Sequence, residues 1–164
     1  MIFKKEQLDP TSRVWIYQAN RKLHESEIAF IEQFLNREID EWSAHGASLQ
    51  AGFEIRFDQI ICIFADERQH AASGCSIDSS TRWFKDLGEK FGIDFFDRSV
   101  AIVQDKNLQL VPLLGIKKAI EEGILHADCL IATPQVANLA TYSNQWPEKA
   151  QNSWLKRYFK KETI

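Results

Sequence analysis

The run Ser73-Gly74-Cys75-Ser76-Ile77-Asp78-Ser79-Ser80 gathers a thiol, a carboxylate and four hydroxyls just where a helical pattern begins. The first amides of a helix lack partners and carry the positive end of its dipole, so such a place attracts anions. It also draws a thiol towards its reactive, ionised form. Cys75, with His70 five residues upstream, therefore reads as a nucleophile and base, the makings of a thiol enzyme. Ser73, Gly74, Cys75, Ser76 and Asp78 read equally as the cradle of a small anionic ligand. An ordinary helix cap explains the same residues, because Ser and Asp satisfy first-turn amides and Gly74 permits a tight turn. The string matches neither the G-x-S-x-G elbow nor a thiol-protease signature.

A second candidate, Asp66-Glu67-Arg68, closes an apolar run. Asp66 could act there as a general base or help hold a hard cation. A strand end with a local ion pair accounts for the trio as well. His24, His45, His70 and His126 show no metal-ligand spacing, and His126-x-Asp128-Cys129 is their single cluster, so no metal and no cofactor is expected. Cys62 and Cys129 lie in apolar runs and read as core thiols. Three cysteines without a C-x-x-C point to a reducing compartment.

The elements that would position these groups follow from periodicity. Arg13 to Gln18 reads as a strand, with Trp15 and Tyr17 on one side and Gln18, Asn20 and Arg21 just beyond. Those aromatics either form a core layer or line a ligand pocket. Residues 25 to 45 carry Ile28, Ile31, Leu35, Ile39 and Trp42 at helical intervals, with Ser26 or its predecessors as cap and Gly46 as terminator. Phe30 and Phe34 fall off that stripe and either widen the buried face or offer a partner or a second copy of the chain an apolar patch.

Two strands, Leu49 to Phe57 and Gln59 to Asp66, meet at Asp58-Gln59, a turn without the usual glycine. The second is apolar throughout and should be central, covered on both faces. A helix over Ile77 to Phe91 stops at Gly92. Strands from Arg98 to Gln104 and Leu108 to Pro112 flank Asp105-Lys106-Asn107. A short helix with Ile116 and Ile120 ends at Gly123, Cys129 to Thr133 is a further strand, and a terminal helix starts near Ser153. Helix, glycine, strand, Asp-containing turn and strand thus occur twice, which could be an αββ duplication or a coincidence of spacing. The order predicts an α+β fold with a mostly antiparallel sheet of about five to six strands, helices packed on it, as one domain over residues 1–164.

Composition narrows the classes. The chain has 164 residues, 45% of them hydrophobic, a balance that excludes disorder. Eleven Phe, five Trp and three Tyr against seven Gly and four Pro predict an aromatic core and short loops. The net charge of −3 argues against nucleic acid, whose phosphates need a cationic surface. Lys156, Arg157, Lys160 and Lys161 make the last 14 residues locally basic, as an amphipathic helix with docked aromatics and outward cations would. No apolar run approaches the length of a membrane span, and Met1 to Gln7 is no signal peptide. The expectation is a cytoplasmic protein.

Trp15-Ile16-Tyr17-Gln18, Ser73-Gly74-Cys75-Ser76-Ile77-Asp78, Phe96-Asp97-Arg98 and Ser153-Trp154-Leu155-Lys156-Arg157-Tyr158 together resemble a small bacterial family of single-domain proteins of about this length. That family is often labelled "ABC transporter ATPase". The resemblance covers most of the chain and carries over no catalytic residue. The label itself is not supported: the sequence has no G-x-x-x-x-G-K-[ST] loop and no signature motif. The leading expectation is a non-catalytic binding or interaction module. The rival is a ligand-binding protein or thiol enzyme built on Ser73–Ser80.

Overall fold

The computed structural model describes residues 2–44, 47–68 and 74–159, and within them every side chain except those of 43, 44, 47 and 74–77. In chain order the elements are β1 (Arg13–Gln18), α1 (Glu25–Asp40), β2 (Ser43–Ala44), β3 (Ala47–Ser48), β4 (Gln50–Arg56), β5 (Ile60–Asp66) and α2 (Gly74–Phe91). There follow β6 (Val100–Gln104), β7 (Asn107–Val111), α3 (Ile116–Glu121), β8 (Leu130–Ile131), α4 (Leu139–Gln145) and β9 (Glu148–Lys149). The fold is α+β and its sheets are antiparallel. The strands divide between a three-stranded sheet, β1-β5-β4, and a four-stranded sheet, β7-β6-β8-β9, with β2 and β3 forming a separate pair.

The alternation of side chains across β5 explains the layering. Ile61, Ile63 and Ala65 enter a first core shared with Ile31, Leu35 and Ile39 of α1 and Phe84 and Leu87 of α2. Ile60, Cys62 and Phe64 point the other way, into a middle core with Ala101 of β6 and Leu139 and Tyr142 of α4. β6 alternates in turn: Ala101 and Val103 join the middle core, while Val100 and Ile102 join a third one with α3 and Leu155. β5 is therefore buried on both faces, as its unbroken apolar run predicts.

Local chemistry accounts for most boundaries. Glu27 reaches back to accept from the His24 amide at 2.8 Å, closing the first turn of α1. α1 ends at Asp40, earlier than the periodicity predicts, and Gly46 lies outside the described residues. Gly92, with φ +65, stops α2 in the left-handed conformation that glycine adopts without steric cost. The turn joining β4 to β5 has positive φ at both Phe57 (57) and Asp58 (51), so a tight hairpin forms without glycine. α4 is not legible as a helix: seven residues give two turns, too few for a periodic signal, and its start rests on Asn138 Oδ1 accepting from the Thr141 amide at 2.9 Å. The terminal helix expected near Ser153 is instead a five-residue 3-10 segment, Trp154–Tyr158.

Candidate functional site

At the end of β5, Asp66 is buried and committed. Arg68 donates to it through Nε at 3.1 Å and Nη2 at 2.8 Å, its backbone amide adds 3.0 Å, and its Nη1 reaches Asp9 at 2.9 Å. These bonds to Arg68 hold the Asp66 carboxyl below its ordinary value. A carboxylate so engaged is a strap between the strand end and the loop before β1, which is the ordinary alternative and not a general base.

The Ser73–Ser80 run divides. Gly74, Cys75 and Ser76 form the backbone of the first turn of α2, so the helix begins three residues before Ile77, where its apolar stripe predicts the start, and Gly74 is helical where a tight turn is expected. Their side chains, together with His70 and Ser73, lie outside the described residues. Asp78 is exposed, and Ser80 is buried with its hydroxyl 3.2 Å from that of Tyr17. Of the other histidines, His24 precedes α1 and His126 Nδ1 accepts from the Asp128 amide at 3.3 Å. Among the described residues no group of three His, Cys, Asp or Glu side chains could hold a metal ion, and no helix is long and apolar enough to cross a membrane.

A well-defined concavity lies elsewhere. A cleft of about 700 Å³ opens where the end of β1, residues 95–99, the start of β6 and residues 131–135 converge. Burial presses Tyr17 against Phe84, ring centroids 3.9 Å apart, while Phe96 meets its edge at 5.8 Å. Tyr17 thus belongs to the core and to the cleft wall together, so the two readings of the β1 aromatics both hold in part. Buried Gln18 ties the cleft floor: its Nε2 donates to the Ser99 carbonyl at 2.9 Å, and Asp97 Oδ1 accepts from the Ser99 amide at 2.7 Å. Asn20 and Asp94 clamp the same corner through their backbone groups and the Asn20 side chain. Arg21 serves structure, paired with Glu27 at 2.8 Å.

The rim is apolar. Phe96 is 40% exposed, Leu113 48% and Trp154 45%, and all three line this cleft. Trp154 departs from the expected docked tail: Leu155 is buried in its place, and the indole stands at the cleft mouth. Glu148 lies on the same wall, and burial lifts its carboxyl above the ordinary value, opposed by the Thr133 hydroxyl. Neither Asp97 nor Glu148 has an ion-pair partner among the described residues.

Sequence reasoning passes over Glu148 and Leu113, because neither belongs to a motif. It also misses a cluster on the far side of the middle core. There the Tyr142 phenol donates to Glu54 at 2.8 Å and accepts from Arg56 at 3.3 Å, above the buried Cys62. Arg56 stacks over Phe57 and Trp146 at 5.1 and 5.2 Å. Every member of that cluster already has partners within the chain, which marks it as structural.

Against known proteins, the chain matches no family model, no curated sequence and no solved structure.

Proposed function

We propose that the chain is a cytoplasmic binding module, without catalytic activity of its own, that takes its ligand in the cleft between β1 and β6. One observation carries this reading. Among the described residues seven large apolar side chains are exposed, and three of them, Phe96, Leu113 and Trp154, line a single cleft floored by the buried Gln18. An apolar concavity with a few fixed polar groups is the usual form of a ligand site. Three of the four segments that resemble the bacterial family also contribute residues to it: β1, Phe96-Asp97-Arg98 and Trp154. Nothing in those segments resembles a phosphate loop, so the ATPase label gains no support from this reading.

Amide-resolved NMR tests it, with benzylamine and indole as probes. Binding is expected to shift the Trp154 indole and the amides of Gln18, Ser99 and Thr133, and to be lost in Trp154→Ala. Shifts that map elsewhere, or none at millimolar probe, overturn the reading.

A further inference from the structure

β1 pairs with β5 along one edge only, so its other edge is open to inspection. The Ala19 amide donates to the Gln59 carbonyl at 2.9 Å, which fixes the parity of the ladder: Arg13, Trp15 and Tyr17 turn their backbone groups to β5, and the even residues turn theirs away. At the two ends those outward groups are used. The Leu139 amide donates to the Ser12 carbonyl at 2.8 Å, and the Asp97 amide to the Gln18 carbonyl at 3.2 Å. Between them, the N–H and C=O of Val14 and of Ile16 have no hydrogen-bond partner among the described residues.

Those four groups face a groove of about 540 Å³ whose opposite wall is Pro134–Ala137. No backbone hydrogen bond joins the two walls among the described residues. The groove and the cleft share Ile16, Tyr17, Pro134 and Gln135, so one runs into the other. Unpaired strand groups beside a side-chain pocket are the arrangement by which sheets take up an extended peptide: the main chain supplies the bonds and the pocket the selectivity.

The pocket's charge selects the side chain. Asp97 and Glu148, both without ion-pair partners among the described residues, outnumber the lone Arg98 on its wall, and Tyr17, Phe96 and Trp154 add aromatic faces. Carboxylates and rings together suit a cation.

Resting on the binding function proposed above, we infer that the ligand is a short extended peptide segment that pairs with Val14 and Ile16 and places a lysine or arginine side chain in the cleft. The bonds from Leu139 and Asp97 close the edge at both ends, so the paired stretch is about three residues, roughly 10 Å of strand.

The test uses the full chain and an acetylated, amidated valine–lysine–valine tripeptide, followed by NMR. Its binding is expected to shift the Val14 and Ile16 amides together with the Trp154 indole. Adjacent amides of an extended chain face opposite edges. Methylating one of two nitrogens, the lysine's or the second valine's, is therefore expected to weaken binding about tenfold or more, while methylating the other leaves it unchanged. Exchanging lysine for glutamate is expected to cost about as much, the loss of a single well-made hydrogen bond or charge contact. The double variant Asp97→Asn, Glu148→Gln is expected to do the same for the lysine peptide only. If benzylamine occupies the cleft but the tripeptide leaves Val14 and Ile16 unmoved, the peptide inference fails and the binding function stands. If no probe binds at the cleft, both fail. Concentration-dependent shifts at Val14 and Ile16 without peptide identify a second copy as the occupant and overturn the inference.

Discussion

The Tyr142 hydroxyl donates to Oε2 of Glu54 at 2.8 Å, joining α4 to the middle-core side of β4 across 88 positions of sequence. Arg56 and Lys5 complete the set, Lys5 lying 3.4 Å from the same carboxylate oxygen. Tyr142→Phe keeps the ring in the middle core but strips Glu54 of its donor and Arg56 of its acceptor. The expected cost is about 1–2 kcal/mol, a Tm lower by roughly 2–6 °C for a chain of this size. Urea denaturation of the pair reads it directly. An unchanged midpoint would mean that the cluster is solvated in place of the bonds described.

Acid should weaken the fold through Glu27 and Asp66. The hydrogen bonds from Arg21 are the largest cause holding the Glu27 carboxyl down, to about 2 from 4.5, and Asp66 is held down by Arg68. A depressed folded value contributes stability that is complete above the unfolded value and disappears as pH falls through the folded one. For Glu27 the window runs from about 4.5 down to about 2. With Arg21 partly in water, about 2 kcal/mol is expected at neutral pH. Glu27→Gln should therefore be less stable than the wild type at pH 7, with the difference shrinking steadily below pH 4.5. A difference that is constant with pH would assign the loss to packing instead.

Gly52 allows the N-terminal segment to lie on β4. A Cβ at this position would collide with the Phe3 carbonyl oxygen, and the Phe3 amide donates to Ala51 at 2.9 Å. Gly52→Ala should force that segment off and cost about 2–3 kcal/mol, in the range of overpacked sites. Deleting residues 1–4 removes the obstacle, so the same substitution in the shortened chain should be close to neutral. A substitution equally costly in both chains would place the strain within β4 itself.

How much of this was readable from residues alone depends on how local each cause is. β1 carries its whole signal in six residues and is found where the pattern places it. β5 announces its double burial by an unbroken apolar run, and Gly92 and Phe91 bound α2 as its stripe requires. The partition into two sheets is not local: Ala101 and Val100 are adjacent small or branched apolar residues, and nothing in their identity says that they enter different cores. The cleft fails to show for the same reason. Tyr17, Phe96 and Trp154 are singled out separately, but their meeting depends on the chain path through Thr133 and Glu148. The motif-like run at Ser73 attracts attention because serine, glycine and aspartate are informative about turns, which is a statement about helix starts before it is one about chemistry.

Cysteine reactivity separates the middle core from the helix start. Burial pushes the Cys62 thiol up to about 12, opposed chiefly by its bond with Tyr142, and Cys129 is also buried, its Sγ 3.6 Å from the Ile124 carbonyl. Iodoacetamide between pH 5 and 9 should leave both unmodified in the native protein, by peptide mass spectrometry. Labelling of Cys75 alone, with a midpoint below the ordinary value of about 8.5, would support the anion-site reading of Ser73–Ser80. Labelling of Cys62 would contradict the packing of β5 against α4.

Glu148 offers the sharpest separation between stability and binding. Burial raises its carboxyl, so the folded state prefers the protonated form, and its ionisation on the way to neutral pH opposes folding. The sign follows: the contribution is complete below the unfolded value of about 4.5 and is lost as pH rises through the folded one. Glu148→Gln imitates the protonated acid and can still accept from Thr133. It should match the wild type near pH 4 and exceed it in Tm at pH 7. If the cleft receives a cation, the same substitution must weaken that binding at pH 7 while it stabilises the empty protein. Opposite signs in the two measurements would identify Glu148 as a group kept for a ligand at the expense of the fold, in the manner of functional sites generally. Loss of both together would make it a structural residue, and the cleft's selectivity for a cation would then rest on Asp97.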